Sequence, residues 1–197
     1  MPGSKVPEEQ RRAQILAAAF EVAKTSGLSS VTVRSVASQA GVSVGLVLFH
    51  FQSMDDLHVA LLDWLLTHVL AVNPLPESAP SDPSERLLAI LAQQLIEARE
   101  EQAAVELFLM YWLMSANQPM LRERIQASLL NYYAAIHGLV SEWYATLERP
   151  ALPSPDAFAL VITALIDGYA LRAIHDPASD DPAKIMAVLR LLITGKG

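Results

Sequence analysis

The stretch Val31-Thr32-Val33-Arg34-Ser35-Val36-Ala37-Ser38-Gln39-Ala40-Gly41-Val42-Ser43-Val44-Gly45-Leu46-Val47-Leu48-Phe49-His50-Phe51 decides how the chain is read. Thr32 stands where a hydroxyl can cap a helix whose apolar positions are Val33, Val36, Ala37 and Ala40, and Ser43 stands likewise before a second helix from Val44 to about Phe49. The turn between them contains Gly41, which tolerates the positive φ that a tight connection needs. Two short helices joined in this way form a helix-turn-helix unit, whose second helix can enter the major groove of DNA. Ala37 and Ala40 are small where the helices cross, and Gly45 leaves the first turn of the second helix open to close approach by a DNA backbone.

Outward from this stretch, helical periodicity continues to both ends of the chain. Over residues 7–26 apolar side chains recur at Ile15/Leu16, Ala19/Phe20 and Ala23, with Gly27 placed as a C-terminal cap. Ser53 and Asp56 make a capping box for a fourth helix carrying Leu57, Leu61, Leu65 and Val69 toward residue 72. Pro74, Pro76, Pro80 and Pro83 mark a loop, and Asp82-Pro83 then starts helix five. The spacing predicts helix six over residues 103–116, helix seven from Pro119 to residue 147, helix eight from Pro155 to residue 175 and helix nine from Pro182 to residue 192. No strand pattern is present, so the fold expected is all-α with about nine helices. An N-terminal head of three-helix helix-turn-helix type spans residues 8–68, with the helix-turn-helix at about 31–50, and a ligand-binding and dimerisation bundle spans 69–197.

Hydrophobic residues make up 52% of the 197 and charged residues only 18%, which supplies a core and excludes wholesale disorder. The longest apolar stretches, near residues 59–72 and 157–174, are interrupted by Asp63, His68, Asp167 and Arg172, so neither offers the run of roughly 20 apolar residues of a spanning helix. With no secretory signal pattern at the start and no cysteine, a cytoplasmic protein with no membrane partner, disulfide or thiolate metal site is expected. The net charge of −7 argues against nucleic acid until its distribution is considered. Residues 1–53 hold Lys5, Arg11, Arg12, Lys24 and Arg34 against Glu8, Glu9 and Glu21, a net +2 that leaves −9 for the remainder.

Two other patterns carry less. Gly41-Val42-Ser43-Val44-Gly45 has the form of the hydrolase nucleophile turn, but that turn follows a β-strand and here a helix precedes it, so Ser43 reads as a cap. His50, His58, His68, His137 and His175 include no pair at the i, i+4 spacing of a zinc-binding helix, and no metal or other cofactor is expected.

Helix eight is apolar around most of its circumference, through Phe158, Leu160, Val161, Ile162, Leu165, Ile166, Tyr169, Leu171 and Ile174. A helix of this kind is buried on all sides, by a second subunit or within the monomer. The expectation is a homodimer seam using Phe158, Ile162, Leu165, Tyr169, Met186 and Leu189. Aromatic and Met side chains concentrate in helices six and seven. Phe108, Tyr111, Trp112, Met114, Tyr132, Trp143 and Tyr169 are candidates for a ligand site, with Gln93, Gln94, Asn117, Asn131, His137 and Asp167 as polar anchors, and ordinary core is the alternative for each.

Ile15-Leu16-Ala17-Ala18-Ala19, Val31-Thr32-Val33-Arg34-Ser35-Val36-Ala37, Ala40-Gly41-Val42-Ser43, Gly45, His50-Phe51 and Asp55-Asp56-Leu57 together resemble the DNA-binding head of the tetracycline-repressor (TetR) family, over roughly residues 8–68. The run from Ala164 to Arg172, with Tyr111-Trp112-Leu113 and Pro119-Met120-Leu121-Arg122, is similar to the BetI-type subset. The resemblance implies a non-enzymatic transcriptional regulator, most often a repressor, acting as a homodimer on a palindromic double-stranded operator. It also implies a small-molecule effector held in a cavity among helices five to eight. It assigns DNA contacts to Thr32, Val33, Arg34, Ser43, Val44, Gly45, Leu46, Leu48, Phe49 and His50, helped by a basic arm of Lys5, Arg11 and Arg12. Leu46, Leu48 and Phe49 read equally as thymine-methyl contacts and as packing residues. Two positions depart from the family: Leu48 replaces the usual aromatic and Met54 the usual phosphate-contacting Lys. The second reading is therefore a ligand-binding or interaction module of the same fold with weak or lost DNA binding, and a serine hydrolase rests on the Gly41–Gly45 string alone.

Overall fold

The computed structural model describes residues 7–76, 79–148, 154–176 and 181–195. Lys5 of the expected basic arm lies outside them, and so does the side chain of His68. Among the described residues the chain forms nine α-helices and no strand: α1 Glu8–Ser26, α2 Val33–Ala40, α3 Val44–His50, α4 Met54–Val69, α5 Pro83–Glu100, α6 Gln102–Ser115, α7 Pro119–Tyr144, α8 Pro155–His175 and α9 Pro182–Thr194. The caps read from sequence are made. Asp82, Ser154 and Asp181 each accept a backbone N–H of the first turn, at 3.0, 3.0 and 2.9 Å, and each is followed by a proline whose missing N–H costs nothing there.

Several boundaries differ from expectation, among them that of α4, which ends at Val69, short of residue 72. A single 3-10 turn, Leu28–Ser30, links α1 to α2, closed by the Val31 N–H on the Leu28 carbonyl. α7 stops at Tyr144 because the Thr146 hydroxyl and N–H both take the Trp143 carbonyl, which ends the regular ladder. α9 continues to Thr194 and closes on Gly195 at φ 66°, a left-handed position suited to glycine.

The chain divides into two compact units, one of residues 1–68 with 107–124 and the other of 69–106 with 125–197. In the first, Ile15, Ala19, Val36, Val47, Leu57, Leu61 and Leu65 are sealed from water, and the Phe20 and Trp64 rings lie 4.9 Å apart. In the second, α5 packs against α8 and α9. Leu87, Leu91, Leu95, Ile136, Val140, Trp143, Phe158, Ile162 and Ile193 form its core, where a single Leu→Ala change costs about 2–5 kcal/mol. α8 is long and apolar enough to cross a membrane by length and mean hydropathy, a test that a count of uninterrupted apolar residues does not apply. It nevertheless carries Asp156, Asp167 and Arg172, and its inner side, from Phe158 to Ala173, is buried in the second unit.

Candidate functional site

The two short helices are held by hydrogen bonds to their own ends. Thr32 accepts the Ser35 N–H at 3.1 Å while the Ser35 hydroxyl receives the Thr32 N–H at 2.9 Å, a reciprocal capping box with serine in the place usually taken by Glu or Gln. Gly41 closes α2 at φ 66°, ψ 34°, and the Val42 N–H reaches back to the Ala37 carbonyl at 3.0 Å. Ser43 then caps α3 by accepting the Leu46 N–H at 3.2 Å. Its hydroxyl sits between two helices with no strand before it, so it is a cap and has no nucleophile's setting.

α1 supplies the rest. The Gln14 amide donates to the Ala40 carbonyl at 2.8 Å, and the Arg12 guanidinium donates to the His50 carbonyl at 3.0 Å while lying 4.3 Å from the centre of the Phe51 ring. Each takes an orphan carbonyl at a helix C-terminus, where positive charge is also favoured. The expected basic arm is therefore altered: Arg12 is committed to positioning α3, and Arg11 bonds Gln14 at 2.7 Å. No local sequence signal marks Gln14 or Arg12, because their partners stand 26 and 38 residues away.

α3 presents one outward face. Val44, Gly45, Leu48 and Phe49 are exposed, Phe49 at 72%, while Val47 points into the core and Leu46 and His50 are half-buried. The Phe49 ring meets the His50 ring edge-on at 5.2 Å. On α2 and its cap, Thr32 and Arg34 are exposed and Val33 is partly so. All ten of the residues read as DNA contacts thus fall on one short segment, with six fully outward, Ser43 exposed but engaged as a cap, and Leu46, Val33 and His50 partly covered.

The seven candidate ligand residues are divided between the units. Phe108, Tyr111, Trp112 and Met114 belong to the first and Tyr132, Trp143 and Tyr169 to the second. Tyr111 is fully buried, its hydroxyl donating to the His58 carbonyl at 3.1 Å and lying 3.3 Å from His58 Nδ1. Burial lowers the His58 pKa, against the opposing pull of Asp55, and raises that of the Tyr111 phenol, so both are neutral at pH 7. Trp112 is exposed and meets Phe108 at 5.8 Å. In the second unit Trp143 is core: its indole N–H donates to the Ile193 carbonyl at 3.2 Å and its ring lies 5.1 Å from Phe158.

Tyr132 is different. Its ring is buried, but its hydroxyl, bonded to no other described residue, is not sealed from water, and the carboxylates of Asp167 and Glu97 both act on it. Glu97 is held by three amides, from Gln93 at 2.9 Å, Gln94 at 3.1 Å and Asn73 at 3.1 Å. α8 leaves Asp167 at the surface of the protomer, but the helices around it remove enough water to raise its pKa. Glu97 and Asn73 were not singled out from sequence; Gln93 and Gln94 standing four and three residues before Glu97 on one helix was the available signal.

Of the residues read as a dimer seam, Phe158, Ile162, Tyr169 and Leu189 are buried within the protomer and Leu165 and Met186 are partly covered. The apolar side chains left outward on α8 and α9 are Leu160, Val161, Leu171, Val188, Leu191 and Leu192, each about half exposed or more. Among the described residues no group of three or more His, Asp or Glu is placed to hold a metal ion.

Comparison with known proteins bears on both halves. Residues 15–61 match the family model for bacterial regulatory proteins of the tetR family, and residues 83–195 match that for the C-terminal domain of BetI-type transcriptional repressors. The HTH-type transcriptional regulator BetI of Serratia proteamaculans is 30% identical over 188 residues, covering 93% of this chain and 91% of that protein. A transcriptional regulator from Rhodococcus sp. Rha1 superposes with a TM-score of 0.68 at 27% identity, over 93% of this chain and 94% of the other. The multidrug binding protein EbrR, solved in complex with imidazole, gives 0.58 at 25% identity over 93% and 94%.

Proposed function

The chain belongs to the TetR family of DNA-binding transcriptional regulators, with a BetI-type C-terminal domain, and on that premise we propose that it is an effector-responsive repressor working as a cytoplasmic homodimer on a palindromic operator. The family is non-enzymatic, and the Ser43 cap gives no reason to set this member apart. The observation that carries the reading is the outward face of α3, held by caps at both ends and exposed among the described residues. Leu160, Val161, Leu191 and Leu192 are the apolar surface that a second copy would cover, and two heads about 34–36 Å apart would reach successive major grooves.

For the effector, support gathers at Tyr132, Glu97 and Asp167, a phenol with a buried ring whose hydroxyl is bonded to no described residue, under the influence of two carboxylates at the edge of the helical core. Such a site favours a small molecule that brings hydrogen-bond donors. By linkage, an effector that loosens operator binding must bind the DNA-bound protein more weakly by the same factor, typically about 5–150-fold.

A gel-shift titration against the DNA flanking its own gene tests the reading. A specific complex should form and weaken with salt, log K falling against log [salt] with a slope of roughly −5 to −9 for six to ten phosphate contacts. Absence of any specific shift at low salt overturns the repressor assignment and leaves the second reading, a module of the same fold without DNA affinity, which the uncharged face of α3 and Met54 favour.

A further inference from the structure

α3 has an unusual surface for a helix that reads DNA: Val44, Gly45, Leu48 and Phe49 at i, i+1, i+4 and i+5 form its outward face, and none of them carries a hydrogen-bonding side chain. The polar groups nearby are occupied or set to one side. Ser43 accepts the Leu46 N–H, the His50 side chain is half-buried, and Arg12 is bonded to the His50 carbonyl. The exposed polar residues Thr32, Arg34, Ser38 and Gln39 stand on α2 and its cap. Arg or Lys on guanine and Asn or Gln on adenine, the usual bidentate pairings, are therefore unavailable from α3.

One base in the major groove offers an apolar feature, the C5-methyl of thymine. Resting on the assignment as an operator-binding protein, we infer that α3 reads its half-site through thymine methyl groups, with Leu48 and Phe49 as the specificity-determining residues. Phe49 is 72% exposed and Leu48 44%, so both hold apolar surface in water that only an apolar partner relieves. The Arg12 and Ser43 caps fix both ends of α3, so these side chains are presented from a rigid helix, as contact selectivity requires. Phosphate contacts from α2 then set register and carry no sequence information.

The test uses the full-length protein and DNA chemistry that changes nothing but the methyl. Binding sites are selected from random duplex DNA, and thymines in the selected half-sites are replaced one at a time by uracil, which keeps every hydrogen-bonding group. Uracil at the contacted positions should weaken binding about fourfold per methyl, and on the order of a hundredfold when several are removed across both half-sites. In Phe49→Ala and Leu48→Ala, both at exposed positions that leave folding intact, the native operator should bind more weakly and the uracil penalty at the corresponding position should vanish. Equal binding of thymine and uracil operators by the unchanged protein overturns the inference while leaving the operator-binding assignment in place. A selection that returns no preferred sequence overturns both. A uracil penalty that persists undiminished in both variants overturns the assignment of Leu48 and Phe49.

Discussion

The head and the helical bundle are held together by different means. In the head, helices of eight and seven residues are too short to persist alone, and their ends are tied by Thr32, Ser35, Ser43, Gln14 and Arg12 to specific backbone groups. In the bundle, α5, α8 and α9 run for 18, 21 and 13 residues and are held mainly by interdigitated apolar side chains, with ion pairs such as Arg190 to Glu85 at 2.9 Å at the rim. Directional bonds fix one arrangement of a small surface, as base reading demands. Apolar packing has no direction, so it tolerates a site of variable contents but does not mark which apolar side faces inward.

The sharpest break of this comparison uses adjacent residues on α8. Ile162 is 1% exposed and Val161 60%. Ile162→Glu buries a charge without a partner, a cost of several kcal/mol that should unfold the bundle. Val161→Glu should leave the fold intact, with unchanged helical circular dichroism, but give a monomer by light scattering and weaken operator binding at least a hundredfold. A folded dimer from Val161→Glu would move the subunit contact away from the outward face of α8.

The next effect separates a positioning cation from a phosphate-binding one. Arg12→Ala removes a charged hydrogen bond and a ring contact, and should cost about 1–2 kcal/mol of stability in urea unfolding. Operator affinity should fall through loss of α3 order, with the salt slope unchanged. Unchanged stability together with a slope shallower by about two, one contact from each subunit, would show Arg12 on phosphate instead.

What the sequence disclosed follows the same division. Caps were legible because they are local: Thr32, Ser43, Ser53, Asp82, Ser154 and Asp181 each stand within three residues of the N–H they accept. The outward set on α3 was legible in part, since Val47 inward and Leu48 outward differ by one helical step and neither chemistry nor spacing decides between them. The facing of α8 was illegible for a deeper reason: with apolar residues on every side, periodicity has no phase, and the neighbours, α5 and the Trp143 ring of α7 among them, select Phe158, Ile162 and Ile166 as the inner row. Distant ties such as Gln14 to Ala40 leave no periodic trace at all.

A smaller effect sharpens the reading of the bundle. Tyr132→Phe removes a hydroxyl that has no partner among the described residues, so stability should change by less than about 0.5 kcal/mol. Affinity for an effector, followed by tryptophan fluorescence, should fall about tenfold, the loss of one hydrogen bond. Unchanged affinity for a molecule that demonstrably releases the operator would remove Tyr132 from the site.

The smallest effect concerns pH, where the two units have opposite signs. His58 in the head is held below its usual value of 6.5, so the unfolded chain takes up a proton first, and its contribution to stability is full above 6.5 and declines as the pH falls below it. Asp167 in the bundle is held above its usual 3.8, so the folded protein keeps the proton longer, and its contribution is full below 3.8 and is lost as the pH rises through the raised folded value. Asp167→Asn cannot ionise. It should melt at the same temperature as the unchanged protein below pH 3.8 and slightly higher at neutral pH, the gap opening between those limits and then staying constant. The His58 ring resonance, followed by NMR, should titrate below 6.5. A gap in melting temperature that closes toward neutral pH would mean that Asp167 gains a stabilising partner when ionised, and would reassign it from a desolvated carboxyl beside Tyr132 to one half of an ion pair.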